Sequence, residues 1–191
     1  MPAIGKETIM TGDLHQEFLT LYEPLHDRFT RYCSSNAYGL METEDLVQET
    51  ILCTLQQFER IHDKNKLLWY MIGVANNIVK NQLRRQKFKG TFDEHAANKL
   101  KARTGDPEVA LDIHYLYKAL HQLPAKDKEA VILFEISGFS IREISAAQKS
   151  SEGAVKTRLS RARQKLKAIL CDRSLKSKVP VKEFTLFSIF F

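Results

Sequence analysis

The 191-residue sequence has few of the residues that build disulfide frameworks, metal sites or catalytic centres. Its three cysteines, Cys33, Cys53 and Cys171, are far apart, odd in number and form no Cys-x-x-Cys pair, so neither a disulfide framework nor a zinc ribbon is supported. The six histidines show no metal-site or triad spacing, and no glycine-rich phosphate loop or paired-carboxylate motif is present. We therefore predict no catalytic centre, no metal and no cofactor.

Long apolar runs are also missing. No stretch approaches the roughly 20 apolar residues of a membrane span, and the N-terminus lacks the basic region and apolar run of an export signal. We expect a cytoplasmic protein, and a reducing compartment also suits the cysteine pattern. Hydrophobic residues still make up 43% of the chain, which supports real cores in one ordinary domain or two small ones.

The charge of the chain is positive, with a formal net value of +6. Such a balance favours polyanionic partners. The total alone would equally permit an anionic membrane surface or an RNA, so the distribution of the charges along the chain decides more than their sum.

The spacing of apolar residues divides the chain into two helical blocks. They recur at helical spacing from about Leu14 to Gln86, which predicts three or four helices. A stretch poor in large apolar groups and ending in the breaker Gly105-Asp106-Pro107 then predicts a linker. We predict an all-α fold with two small helical domains at 10–89 and 110–171, a linker at 90–109 and a C-terminal tail at 172–191. The apolar end of that tail either packs on the second domain or contacts a regulatory partner.

The most informative segment lies at 140–163, where the pattern predicts a helix-turn-helix. Ser140 followed by Glu143 makes a capping box for its first helix, and Ser151 is expected to cap the second. At about 100° per residue, one side of the second helix is apolar and would pack on its domain, through Val155, Leu159, Ala162, Leu166 and Ile169. The other side is polar and basic, as insertion into a DNA groove requires. A solvated face on a helix that merely packs is the alternative.

Residues 151–163 resemble the end of the fourth domain of bacterial sigma-70 family factors, in particular the small extracytoplasmic-function (ECF) group, although Ala154 stands where the family usually has Thr. The resemblance implies two sets of DNA contacts. It implies that Lys156, Thr157 and Ser160 contact bases of the upstream (minus-thirty-five) promoter element. It also implies that Arg158, Arg161 and Arg163 contact phosphates. Taken alone, this half of the chain could also belong to a LuxR-like response regulator.

Residues 42–50 resemble the segment with which the family binds the coiled coil of the largest polymerase subunit, and LuxR-like regulators lack it. On a helix, Val47, Ile51, Leu55 and Phe58 share one face, with acidic and amide side chains roughly opposite. Such a face suits binding to a basic protein surface. The alternative is that the carboxylates lie at the start of the helix only because the helix dipole favours negative charge there. The resemblance implies core RNA polymerase as the partner, bound by Asp45, Leu46, Gln48 and Glu49.

Residues 70–85 resemble the promoter-melting helix of the family. Aromatic, amide and cationic side chains fall on one side at spacings of seven, four and three, while Met71, Ala75 and Ile78 are expected in the core. A ring can stack on an unpaired base for roughly 1–3 kcal/mol, comparable with the few kcal/mol needed to flip one. The resemblance implies contacts to the minus-ten element by Tyr70, Asn77, Lys80, Asn81, Arg84 and Arg85. The family usually has Trp at the position of Tyr70, so Trp69 is the other candidate ring or a core residue.

The resemblance covers roughly 14–170 and implies an ECF sigma factor that binds core RNA polymerase, recognises two promoter elements and opens the downstream one. Its implied partners are core RNA polymerase, promoter DNA and an anti-sigma factor, with no small-molecule substrate and no enzymatic activity. A stand-alone helix-turn-helix regulator that dimerises through the first domain is the main alternative. A small recombinase would need a nucleophile or metal-binding acids, and the sequence offers none that we can locate.

Overall fold

A computed structural model of the protein describes the backbone at 5–89 and 107–177 and the side chains at 13–85, 109 and 111–171. The chain divides into two compact units, Met1–Phe92 and Asp93–Phe191. Within the described ranges all regular structure is helical, without a β-strand. The predicted all-α fold with two helical domains is confirmed.

Over residues 5–89 the first unit contains four α-helices, in agreement with the three or four predicted. They are α1 (Gly5–Tyr22), α2 (His26–Ala37), α3 (Thr43–Leu55) and α4 (Leu67–Lys89). Short 3₁₀ turns at Glu23–Leu25, Phe58–Arg60 and Lys64–Lys66 connect them. The first of these turns contains Pro24 near its start, where a missing backbone donor leaves no helical hydrogen bond unmade.

The core of the first unit contains a cluster of aromatic rings. The ring of Phe18 meets Phe58 edge-on at 5.4 Å between centroids and stacks on Tyr22 at 5.6 Å. Lys64 adds a cation over the Phe58 ring, at 4.6 Å from its centroid, and its Nζ lies 2.6 Å from Glu17 Oε1. These contacts join α1 to the turn that precedes α4 and so support the start of that helix.

The buried face of α3 differs from the one that we predicted. Ile51 and Leu55 are only half-buried, whereas Thr50 and Thr54 are fully buried. The threonine hydroxyls donate to the carbonyl oxygens of the residues four positions earlier, both at 2.7 Å. Because this bond satisfies the hydroxyl within the helix, threonine can occupy a core position that apolar periodicity alone would not assign to it.

Four further α-helices lie in the described part of the second unit. They are α5 (Pro107–His121), α6 (Ala125–Val131), α7 (Ile141–Ala147) and α8 (Glu152–Ser177). Pro124 is the N-cap of α6. Apart from the first three residues of α5 and the last six of α8, the predicted linker at 90–109 and tail at 172–191 lie outside the described residues.

A π-helical turn, Ile132–Ile136, extends α6. Ser137 N donates to Ile132 O at 3.0 Å, and Phe139 N donates to Leu133 O at 2.9 Å. Between them Gly138 has φ +72°, the left-handed conformation that glycine adopts without steric penalty. The helical segment therefore ends just before Gly138.

Candidate polymerase and nucleic-acid interfaces

Side-chain caps begin both helices of the helix-turn-helix. Ser140 Oγ accepts a hydrogen bond from Glu143 N at 3.2 Å, and Glu143 Oε2 accepts one from Ser140 N at 2.8 Å. At the start of α8, Ser151 Oγ accepts from Ala154 N at 3.2 Å. The predicted capping box and the predicted Ser151 cap are confirmed, and they fix where the two helices begin.

Helix α8 has the two faces that its sequence predicts. Val155, Leu159, Ala162 and Leu166 are buried as predicted. At the end of the stripe, Leu170 is buried, whereas the predicted Ile169 is only half-buried. The opposite face is exposed to solvent and contains Lys156, Thr157, Ser160, Arg161 and Gln164. Thr157 Oγ1 donates to Gly153 O at 2.9 Å, so its oxygen is left to accept a hydrogen bond from a base. This face combines hydroxyls and cations in one exposed surface.

Two predicted phosphate ligands do not join that surface. Arg158 and Arg163 lie at the two borders of the buried stripe and are half-buried. Arg163 Nε donates to Glu135 Oε1 at 2.9 Å, and its guanidinium lies 5.8 Å from the centroid of the Phe134 ring. Arg158 bonds to the turn before α8 through Gln148 and Ser150. Both guanidinium groups therefore bond within the unit, and their phosphate contacts stay predictions.

The acidic face of α3 is exposed as predicted, with one exception. Asp45, Gln48 and Glu49 face solvent, but Leu46 has no exposed surface, so its side chain packs inside the unit and is not part of this face. Leu52, which the sequence analysis did not single out, is 61% exposed. Leu52 follows Asp45, Gln48 and Glu49 by seven, four and three residues, which puts it on the same face of the helix. This spacing could have been recognised from the sequence alone.

The exposed face of α4 brings together the residues predicted to contact the minus-ten element. Tyr70 is 37% exposed, and the other members of the set are also exposed, namely Asn77, Lys80, Asn81, Arg84 and Arg85. Of the predicted core residues on the opposite side, Met71 and Ala75 are fully buried and Ile78 is half-buried. Trp69 is half-buried, which leaves Tyr70 as the more exposed of the two rings.

Burial changes the ionisation of one cysteine outside these faces. Burial raises the pKa of the Cys33 thiol to about 12, so it stays protonated near neutral pH and is not a nucleophile. Among the described side chains, no three or more His, Cys, Asp or Glu residues come close enough to hold a metal ion. In the same part of the chain, no helix is both long and apolar enough to cross a membrane.

These features define a helical DNA-binding protein whose first unit presents an acidic face and a basic one. Comparison with known families specifies the class. Residues 21–89 match the family model Sigma-70 region 2, and residues 113–166 match Sigma-70, region 4. The ECF RNA polymerase sigma factor EcfG of Rhodopseudomonas palustris is 31% identical over 162 residues, which are 84% of this chain and 87% of that protein.

The chain belongs to the family of ECF RNA polymerase sigma factors. It is therefore a subunit that directs RNA polymerase to promoters in transcription initiation. Because residues 21–89 match sigma-70 region 2, the alternative of a stand-alone helix-turn-helix regulator is not favoured.

Solved structures share the fold. The sigma factor RpoE of Bartonella quintana, in complex with the anti-sigma factor NepR, is 24% identical with a TM-score of 0.54, over 83% of this chain and 96% of that one. CnrH, in complex with the cytosolic domain of CnrY, is 20% identical with a TM-score of 0.59, over 86% and 96%. At this level of identity the likeness establishes the fold alone.

Proposed function

We propose that three helical faces of the protein divide the work of promoter-directed initiation. The face of α3 binds core RNA polymerase, the face of α4 binds and opens the minus-ten element, and the face of α8 reads the minus-thirty-five element. One observation supports this division most strongly. Each face presents exposed polar side chains opposite a buried stripe of the same helix, so each is available to a partner without unfolding its unit.

The polymerase contact rests on Asp45, Gln48 and Glu49, with Leu52 among them. An exposed apolar side chain beside carboxylates and an amide fits a basic partner surface with an apolar centre, because desolvated apolar contacts supply affinity and the charged rim sets rate and register. We assign this surface to core RNA polymerase.

The minus-ten contact rests on the exposed face of α4. The ring of Tyr70 can stack on an unpaired base, and the amides of Asn77 and Asn81 can bond to its Watson–Crick edge. Lys80, Arg84 and Arg85 supply cations for the phosphate backbone. Because stacking on a ring is comparable in free energy with unstacking a base, this face can hold an open base without chemical fuel.

The minus-thirty-five contact rests on the exposed face of α8. Lys156, Thr157 and Ser160 supply hydrogen-bonding groups for base edges, and Arg161 supplies a cation for a phosphate. Arg161 Nη2 lies 3.8 Å from Asp127 Oδ1, and its side chain remains 64% exposed, so it can reach a phosphate from this position.

We further infer that the protein has no catalytic activity of its own, that it acts in the cytoplasm beside the polymerase, and that an anti-sigma factor regulates it. The regulatory partner is supported by the structural likeness to RpoE, which was solved in complex with the anti-sigma factor NepR. The chemistry of transcription then belongs to the polymerase, and this chain supplies recognition.

Assembly with purified core polymerase tests the proposed function. The full-length chain should co-elute with core in size-exclusion chromatography and support run-off transcription from a promoter, whereas the combined variant Asp45→Ala, Gln48→Ala and Glu49→Ala should lose assembly. Glu59→Ala is the matched control, because Glu59 is also an exposed carboxylate of the first unit but lies outside α3, in the turn Phe58–Arg60. Equal losses from both would indicate a general effect of negative charge and contradict a specific polymerase contact.

A further inference from the structure

The turn between α7 and α8 contains a residue in an unfavourable backbone conformation. Lys149 has φ +48°, in the left-handed region that glycine or asparagine usually occupies. Ser150 N donates to Ser145 O at 3.0 Å and Lys149 N to Ala146 O at 3.4 Å, the pattern of a Schellman C-cap. Since a lysine is disfavoured at this position, the neighbouring interactions must hold the turn in place.

Both neighbours of Lys149 are held by Arg158 of helix α8. Its Nη1 donates to Gln148 Oε1 at 2.9 Å and to Ser150 Oγ at 2.8 Å. One guanidinium therefore bonds to the residue before the left-handed position and to the residue after it. Hydrogen bonds from a charged donor are about twice as strong as neutral ones, so this contact stabilises the turn from the side of the recognition helix.

Gln148 extends the network to a third helix. Its Nε2 donates to Lys126 O at 3.1 Å and to Glu129 Oε2 at 3.0 Å, both on α6. The side-chain amide thus lies between the Glu129 carboxylate and the Arg158 guanidinium, with each end facing the opposite charge. The network connects α6, the end of α7 and α8, the three helices whose mutual angles orient the exposed face of α8.

We propose that Arg158 is a positioning residue for minus-thirty-five recognition. It fixes the left-handed turn and, through Gln148, the angle at which α8 presents Lys156 and Ser160 to the bases. The inference rests on the proposed role of α8. Recognition groups must be held within about 0.5 Å of their productive geometry, so a small rotation of α8 weakens several base contacts at once without removing a phosphate contact.

The salt dependence of DNA binding distinguishes positioning from phosphate contact. The full-length chain with core polymerase is measured on a duplex that the wild-type holoenzyme selects from a library with a randomised upstream element. Arg161→Ala, the matched control, should reduce the slope of log affinity against log salt by about 0.9. Arg158→Ala should leave the slope unchanged and lower the preference for the selected upstream sequence roughly ten-fold, within the range of one well-oriented base contact.

Two further variants examine the geometry of the network. Arg158→Lys keeps the charge but lacks the planar guanidinium, so we expect the same loss of preference as with Arg158→Ala. Gln148→Leu keeps the approximate size of the side chain and removes its hydrogen bonds. The double variant Gln148→Leu with Arg158→Ala should lose no more preference for the selected sequence than the more impaired of the two single variants. The reason is that the effects of residues in one network are not additive.

Two results would overturn the proposal. One is that Arg158→Ala reduces the salt slope as much as Arg161→Ala does, and the other is that Arg158→Lys retains the full preference for the selected upstream sequence. Should Arg158→Ala fail to show cooperative unfolding, Arg158→Lys decides the matter, because it keeps the charge at that position. Assembly and promoter-dependent transcription by the wild-type holoenzyme are measured first. Their failure rejects the proposed function, whereas an adverse result for Arg158 alone leaves that function standing.

Discussion

Helices α4 and α8 both expose a basic face opposite a buried stripe, but the residues between their cations differ. The α4 face contains the Tyr70 ring and the Asn77 and Asn81 amides, whereas the α8 face contains the hydroxyls of Thr157 and Ser160. A separated strand offers ring faces and Watson–Crick edges, which suit stacking and amides. A duplex offers only the edges that line its grooves, which short hydrogen-bonding groups can reach.

Under the proposed function, cations bring either helix to DNA, and the residues among the cations decide whether it binds a duplex or a separated strand. Sequence-independent phosphate contacts dominate affinity in both cases. If this account is right, changes in one unit should alter one step of initiation and leave the other unchanged.

The largest expected effect is destabilisation of the second unit, which contains α8. Leu159→Ala, at a position only 3% exposed, should destabilise the second unit by about 2–5 kcal/mol, as measured by hydrogen exchange of the two units. Binding to core polymerase should persist, because α3 belongs to the first unit. Ile169→Ala, at a half-buried position of the same helix, is the control and should have a smaller effect. Loss of core binding by Leu159→Ala would contradict independent roles for the units.

The next effect concerns the ring on α4. Tyr70→Ala should weaken capture of an open base by about 1–3 kcal/mol, which lowers the permanganate reactivity of the opened promoter. Tyr70→Phe keeps the ring and should retain reactivity. Equal losses from both variants would show that the hydroxyl, and not stacking, is what α4 contributes at this position.

A smaller effect concerns the turn before α8. Lys149→Gly should raise the free energy of unfolding of the second unit by roughly 1 kcal/mol, because glycine adopts φ +48° without the Cβ penalty. Chemical denaturation of the full chain measures the change. Ser150→Gly, at the neighbouring position without a left-handed φ, is the control and should not stabilise. A loss of stability on Lys149→Gly would contradict the described conformation of the turn.

The smallest effect lies within the α4 face. A Cβ on Gly73 would meet nothing within 4 Å, so Gly73→Ala should stabilise the first unit by about 0.5–1 kcal/mol through helix propensity alone. Thermal unfolding measures the gain. A decrease in stability would mean that the surroundings of Gly73 are more crowded than the structure shows.

Much of the fold was predictable because its signals are local. The capping box of Ser140 and Glu143, the Ser151 cap and the apolar stripe of α8 all follow from spacings within one or two helical turns. Each is found where the sequence places it, except that Leu170 and not Ile169 is buried at the end of the stripe. The exposed faces of α3 and α4 follow from the same periodicity.

The remaining features depend on partners distant in the sequence. The spacing that puts Arg163 in the basic helix does not reveal Glu135, 28 residues earlier, which binds it. Gln148 likewise reaches Lys126 and Glu129 on α6. Leu46 was assigned to the polymerase contact by resemblance, but the angle at which α3 packs buries it. Tertiary contacts decide such cases, and a single sequence does not contain them.

One experiment tests the central claim most directly. Holoenzymes are assembled with Asn77→Ala and Asn81→Ala together, or with Lys156→Ala and Ser160→Ala together, and each is measured for duplex binding and for permanganate reactivity at the minus-ten element. The account predicts that the first pair spares binding and reduces opening, while the second weakens binding in a manner that depends on the upstream sequence. If both pairs lowered binding and opening by the same factor, separate roles for the α4 and α8 faces would be contradicted.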